Sequence, residues 1–335
     1  MNIQATLLAA ALFCAAGVQA QNEYAEIARL NSLNERVYGI RSMADGEHYT
    51  VREGNDIRRY AYATAGEGVS LLPVPTPNLA ITDYSFSPDE RMILIASGRH
   101  PIYRHSYTTQ YQLVADGRVQ PVLTEAEAPR DASFSPDGSR IVYSDRNDLY
   151  VYDIQSRKTR RLTDDGAWNS IINGTTDWVY EEEFGTTRAY AFSPDGTQLA
   201  FLRFDESQVP LMEMMRFDGQ LYNTAYSFKY PKAGEKNSVV ELWVADLASG
   251  AKRRIDTGSE TDQYIPRIGY TPDGRLWYYR LNRRQNTFEV VLCEPHGAQR
   301  VIYDERSQQY VGRVDDATIT FVDKDRFLVR QESHT

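Results

Sequence analysis

The sequence predicts an all-β fold, a β-propeller of four-stranded blades, and three observations carry that prediction. A phrase of the form aromatic–Ser/Thr–Pro–Asp–Gly recurs along the chain. Each copy is followed by further stretches with strand character, separated by polar turns. Helical periodicity is confined to two short segments. The 335 residues, 41% of them hydrophobic, are enough for a sizeable core. The 21 Gly and 14 Pro are close to average usage, which excludes collagen-like and low-complexity classes. A formal charge of −9 argues against a polyanion, so no nucleic acid is expected as a partner. The 23 tyrosines suit strands, where aromatic residues are enriched.

The elements follow in chain order. Met1–Ala20 reads as a signal peptide, with an apolar run from Leu7 to Val18 and no acidic residue. The run is shorter than the roughly 20 residues a spanning helix needs. Val18-Gln19-Ala20 sets cleavage before Gln21, which implies a secreted or periplasmic protein. The competing reading is an N-terminal anchor or a buried helix. Cys293 is then the one cysteine of the mature chain, so no intramolecular disulfide is expected. It follows Val290-Val291-Leu292 and reads as a core thiol. Asn22–Arg36 has the spacing of a short amphipathic helix, with Tyr24, Ile27, Ala28 and Leu30 on one side.

The repeated phrase stands at Ser85–Asp89, Ser133–Gly138, Ala191–Gly196 and Gly269–Gly274, with weaker echoes at Ala44–Gly46 and Val322–Asp325. In each full copy an aromatic residue ends a strand. Pro then presets φ for a tight turn, and Gly, present in three of the four, accepts a positive φ. Second strands are expected over Met92–Ala96, Ile141–Ser144, Gln198–Arg203 and Arg275–Arg280. A further hairpin follows, most clearly Asn147–Asp153 with Thr159–Thr163, and Glu241–Asp246 with Arg253–Ile255. The prolines at 88, 136, 194 and 272 are 48, 58 and 78 residues apart. Four-stranded units with a period of roughly 40–50 residues mark a propeller. The longer gaps imply insertions in the units that start near Ser133 and Ala191, and insertions on one face of a repeat array carry function.

Catalytic apparatus is absent on motif grounds. There is no G-x-S-x-G elbow, H-E-x-x-H, paired C-x-x-C, P-loop or EF-hand loop. The five histidines lack metal-ligand spacing, so neither a metal nor a cofactor is expected. Two segments stand out instead. In Thr176–Gly185, three consecutive carboxylates, Glu181, Glu182 and Glu183, lie between Trp178, Tyr180 and Phe184. Two of them can meet one cation only if the segment leaves its blade as a helical or kinked insertion, with a helical turn expected over Val179–Phe184. The second is the loop Tyr103-Arg104-His105-Ser106-Tyr107, ahead of a strand over Thr109–Val114.

These segments resemble the dipeptidyl peptidase IV group of the prolyl oligopeptidase family. Arg104-His105-Ser106 is similar to its arginine loop, and Asp177–Glu183 to its double-glutamate motif. Ala200–Leu211, Tyr230–Gly234 and Tyr310–Arg313 are similar as well, so the resemblance covers essentially the whole mature chain. It implies that Glu182 and Glu183 grip the free N-terminal ammonium of a peptide, and that Arg104 orients a substrate carbonyl. Trp178, Tyr180, Glu181 and Val314 are expected as a supporting wall. The family has a further apolar or aromatic pocket residue just after this Val-Gly-Arg segment; here Val314 and then Asp315 follow Arg313, a departure at that wall.

The resemblance further implies an incomplete eight-bladed propeller over residues 39–335, truncated at its C-terminus. Residues 21–38 would pack on an α/β-hydrolase domain that this chain lacks. The expectation is therefore a substrate-gating, N-terminus-recognising part of a secreted or periplasmic serine dipeptidyl peptidase that releases Xaa-Pro or Xaa-Ala dipeptides. Such a chain has no catalytic residue of its own and is inactive alone. Expected partners are peptides with a free N-terminus, the missing hydrolase domain and a second copy in a homodimer. The alternative is a stand-alone propeller that binds peptide N-termini or a protein partner without catalysis.

Overall fold

The computed structural model describes residues 29, 39–64, 66–73, 79–294, 297–312 and 314–331. The predicted signal peptide and the helix predicted over Asn22–Arg36 lie outside them, Arg29 apart. Contacts divide the chain into two compact units. One contains a four-stranded sheet of Arg41–Ser42, His48–Glu53, most of Asp56–Ala61, and Val69–Ser70. Tyr49 stacks there on Tyr60, with ring centroids 5.4 Å apart. The other unit holds everything from Leu72 onward, together with residues 54–56.

The second unit is built sheet by sheet from neighbouring strands. Ile81–Phe86, Ile93–Pro101, Tyr107–Ala115 and Arg118–Val122 pair antiparallel in that order. Arg130–Phe134, Arg140–Asp145, Asp148–Asp153 and Lys158–Arg161 do the same. In the next sheet Gln198–Asp205 pairs with Val239–Asp246, which pairs with Lys252–Ile255. In the one after, Leu276–Asn282 pairs with Thr287–Cys293, which pairs with Gln299–Arg306. A last hairpin joins Ile319–Phe321 to Phe327–Val329 around the predicted echo at Val322–Asp325.

Successive sheets stack face to face, as propeller blades do. Leu94 and Leu113 pack with Ile141 and Tyr143. Val142, Leu149 and Val151 pack with Leu199 and Phe201. Leu202, Phe204 and Leu242 pack with Tyr278, Leu281 and Val290. Alternating apolar positions supply both faces of each inner strand, since successive side chains point opposite ways. Cys293 is partly buried, and burial pushes its thiol up to about 11, consistent with a core thiol.

Each full copy of the phrase builds one device. The hydroxyl of Ser87, Ser135, Ser193 or Thr271 donates to the Asp two residues on, at 2.5–2.6 Å. The same oxygen accepts the amide N–H of Met92, Arg140, Gln198 or Arg275, at 2.9–3.0 Å. The Gly positions take φ of 70°, 67° and 87°, and Glu90 takes 57° where the first copy lacks Gly. Sequence reasoning credited Pro and Gly with the turn. The hydroxyl beneath them, nearly or fully buried in every copy, ties the two strands together.

Both predicted insertions are present. Ile171–Asn173 and Tyr190–Phe192 pair with the same strand, Gln198–Asp205, so they are two halves of one edge strand. The chain leaves at Gly174, whose N–H donates to the Leu202 carbonyl, and returns at Ala189, whose carbonyl accepts the Leu202 N–H, both at 2.9 Å. A bridge between Thr175 and Arg188 closes the neck. Gly174 is required there, because its φ is 71° and a Cβ would meet Leu149 at 2.3 Å. The loop-out contains the one helix longer than a turn among the described residues, α1, Trp178–Phe184. The second insertion is a hairpin of Leu211–Arg216 and Thr224–Lys229.

Replacing the fully buried Ser135 by Ala leaves the part-buried Arg140 amide without its hydroxyl acceptor, and we expect a loss of about 1–3 kcal/mol in urea unfolding. Ser135→Thr, which copies the fourth turn, should retain most of the stability. Equal stability of the Ala variant and the parent would refute a structural role for the hydroxyl.

Candidate functional site

Helix α1 has seven residues, too few to hold together by propensity alone. Its ends are tied instead. Asp177 is the N-cap and accepts the Tyr180 N–H at 2.9 Å. Its other carboxylate oxygen accepts the Ser238 hydroxyl at 2.6 Å. Gly185 closes the C-terminus with φ 63°, its N–H on the Tyr180 carbonyl. Arg267 donates to the Phe184 carbonyl at 2.8 Å. Tyr180 anchors the middle, its ring packed against Phe204 and its hydroxyl accepting the Ile265 N–H at 2.7 Å.

Successive helical residues are about 100° apart, so the three glutamates point three ways. Glu181 turns inward and is 1% exposed. One of its oxygens accepts two consecutive backbone amides of the arginine loop, His105 at 2.6 Å and Ser106 at 2.8 Å. Glu182 is partly buried and pairs with Arg104, Nε to Oε2 at 2.9 Å. Glu183 is exposed. Glu182 and Glu183 line a cleft of about 420 Å³ together with Leu281, Val311 and Val314.

The loop that presents Arg104 lies beyond the predicted strand. The strands Ile93–Pro101 and Tyr107–Ala115 run longer than the sequence suggested, with a register shift between Ser97 and His100. They carry residues 102–106 past the sheet. There Ile102 donates to the Ser106 carbonyl at 2.9 Å, and the Tyr103 N–H reaches the buried Ser106 hydroxyl at 3.3 Å. Arg99 lies over the Tyr107 ring, 4.6 Å from its centroid.

The structure thus brings Arg104, Glu182, Glu183 and Val314 into one neighbourhood. It corrects part of the predicted wall. Tyr180, at 2% exposure, belongs to the core beneath the helix, and Glu181 faces the loop backbone. Both are buried because the helix turns those positions inward. Trp178 packs on Tyr230, 4.3 Å between centroids, and supports the helix from outside the cleft. Arg313 lies outside the described residues. Among the described residues no group of three His, Cys, Asp or Glu side chains is placed to hold a metal ion.

Sequence reasoning missed Glu206. It is 5% exposed and feels the Asp177 carboxylate. Burial, and then the Asp177 charge, push its carboxyl up to about 7, against the pull of Lys229 and Arg130. Only its run of matching neighbours, Ala200–Leu211, drew attention to that stretch. A raised acid pKa favours the protonated fold. The cost is absent below the ordinary glutamate pKa and grows as pH rises toward 7. Glu206→Gln should therefore raise stability at pH 8, by up to about 3 kcal/mol, and change it little near pH 4. Thermal unfolding of both proteins across that range checks this, and a pH-independent difference would contradict it.

Comparison with known proteins gives a consistent picture. Residues 87–334 match the family model for the dipeptidyl peptidase IV (DPP IV) N-terminal region. The chain is 31% identical over 296 residues to dipeptidyl peptidase 4 of Sus scrofa, covering 83% of this chain and 37% of that protein. It is 31% identical over 258 residues to inactive dipeptidyl peptidase 10 of Mus musculus, covering 73% of this chain and 32% of that protein. The crystal structure of Porphyromonas gingivalis dipeptidyl peptidase 4 superposes with a TM-score of 0.76 at 37% identity, over 82% of this chain and 40% of that one. The chain spans about a third of the length of the curated relatives it matches. The propeller architecture expected from the repeats agrees with this neighbour.

Proposed function

The chain belongs to the dipeptidyl peptidase IV family, as its N-terminal region, and from that premise we propose that it recognises the free N-terminus of a peptide through Glu182, Glu183 and Arg104. The observation that carries this reading is the helical loop-out. It sets Glu182 and Glu183 on one cleft and draws Arg104 to the edge of it. An ammonium at contact distance from one carboxylate gains roughly 4 kcal/mol at an effective dielectric near 20, before desolvation. Arg104 uses Nε on Glu182 and is 72% exposed at its side chain, so its terminal N–H groups face outward for a substrate carbonyl. Val314 and Val311 give the cleft an apolar wall.

In the complete enzyme this site would act as a ruler. Carboxylates that hold the amine fix how far the chain reaches toward a nucleophile supplied by an α/β-hydrolase domain, so Xaa-Pro or Xaa-Ala dipeptides would be released. A second copy is the other proposed partner. The inserted hairpin favours it, since Met214, Met215, Phe217, Leu221 and Tyr222 are all exposed around its tip. We place the protein outside the cytoplasm, with a leader removed before Gln21. N-terminal sequencing of exported protein should begin at Gln21, and retention of residues 1–20 would overturn that placement.

A binding role without catalysis is the second reading. It is favoured by the matching relative whose name marks it as inactive. Both readings share one test. Calorimetry should show binding of an Ala-Pro-Ala peptide with a free amine, and a loss of roughly tenfold or more on N-acetylation or with Glu182→Ala. Equal affinity for free and acetylated peptides would remove the ammonium-gripping role. Release of dipeptides by the full-length protein would separate the catalytic reading from the binding one.

A further inference from the structure

The first glutamate of the run, Glu181, is held apart from the other two by every measure. It is 1% exposed, and one of its oxygens accepts the amides of His105 and Ser106. Two consecutive N–H groups converging on one carboxylate oxygen make charge-assisted bonds, which are roughly twice as strong as neutral ones. They belong to the residues immediately after Arg104. Fixing those two amides fixes the direction in which the backbone leaves Arg104, and so where its guanidinium arrives. The neighbouring Glu182 receives it at 2.9 Å.

The loop has few other ties. Ile102 to the Ser106 carbonyl and Tyr103 to the Ser106 hydroxyl close it on itself. Arg99 touches the His105 carbonyl at the long distance of 3.5 Å. Bonds within the loop give it a shape, and the Tyr103 ring rests on Phe228 of the inserted hairpin, 5.6 Å between centroids, on the other side of Arg104 in sequence from the two amides. The loop backbone reaches the helix through Glu181, and the Arg104–Glu182 pair is the side-chain contact beside it. The two contacts share one rigid base, because Glu181 and Glu182 are adjacent on a helix capped at both ends.

We infer that Glu181 is a positioning residue, which registers the arginine loop against helix α1 so that Arg104 and Glu182 meet at the peptide site. The inference rests on the proposed N-terminus recognition for its effect on binding, but not for its effect on the loop. In this division of labour the buried glutamate builds the site and the two outer ones contact the ligand. A ligand amine never reaches Glu181.

Two measurements on the full chain test this. Hydrogen exchange should show the His105 and Ser106 amides protected in the parent and in Glu181→Gln, whose amide oxygen still accepts. They should exchange at least tenfold faster in Glu181→Met, which keeps the volume and loses the acceptor. Affinity for free-amine Ala-Pro-Ala should fall roughly tenfold in Glu181→Met and be largely kept in Glu181→Gln. On an Arg104→Ala background, Glu181→Met should cost almost nothing more, since its effect runs through Arg104. A general loss of packing would instead be additive with Arg104→Ala. Unchanged exchange in Glu181→Met, or full additivity, overturns the proposal. If the parent fails to distinguish free from acetylated peptide, the recognition reading falls while the exchange result still decides the role of Glu181. Should Glu181→Met not fold, Glu181→Ala takes its place, with at least tenfold faster exchange of the two amides expected and unchanged exchange overturning the proposal.

Discussion

One buried carboxylate holds the candidate site together. Asp177 starts a helix too short to exist unaided, and it does so while 4% exposed. Its two oxygens are used on different elements. One stops the first turn of the helix from fraying, and the other binds Ser238, just ahead of the inner strand Val239–Asp246. Burial raises its pKa, and the Ser238 and Tyr180 contacts offset only part of that rise. The helix is thereby a rigid outgrowth of the blade. Without that anchor, the side chains of Glu182 and Glu183 would sit on a loop with no preferred direction.

The same rigidity lets adjacent residues do different work. Glu181 and Glu182 differ in neither chemistry nor local sequence, yet one is sealed under a loop and the other opens on a cleft. Helical rotation alone separates them. Tyr180 makes the rotation definite. Its ring is locked among Phe184, Phe204 and Tyr264, and its hydroxyl takes the Ile265 amide, so the helix cannot roll without breaking the core.

Most of the fold was legible because its signals are local. Pro-Asp-Gly turns, polar hairpins and alternating strands each declare themselves within a few residues, and the structure places a turn at every copy. The helical turn was legible from the three adjacent carboxylates, two of which can converge only on a helical or kinked segment, whereas the Asp177 cap and Gly185 stop emerge from the structure. The roles inside it were less so. Reading Tyr180 and Glu181 as wall assumed that a run of like residues shares one environment, and burial depends on a rotation that no short window reveals. The Ser and Thr hydroxyls were overlooked because their partner amides lie four or five residues away, behind the more conspicuous Pro and Gly. Asp177–Ser238 and the raised Glu206 were beyond reach altogether, being products of contacts between residues distant in sequence.

The split edge strand also bears on how the chain assembles. In the sheets of residues 81–122 and 130–161 every strand pairs with its immediate successor, so each sheet can close as soon as its own residues are available. The sheet that carries α1 cannot. Gln198–Asp205 must wait for Val239–Asp246 across the whole inserted hairpin. Ser238, on which the helix cap depends, arrives with that late strand. Loop-closure entropy therefore falls on this sheet more than on the two before it. In an order of folding set by chain connectivity, the segment bearing the glutamates becomes rigid after those two sheets, and its competence reports that the sheet around it has formed.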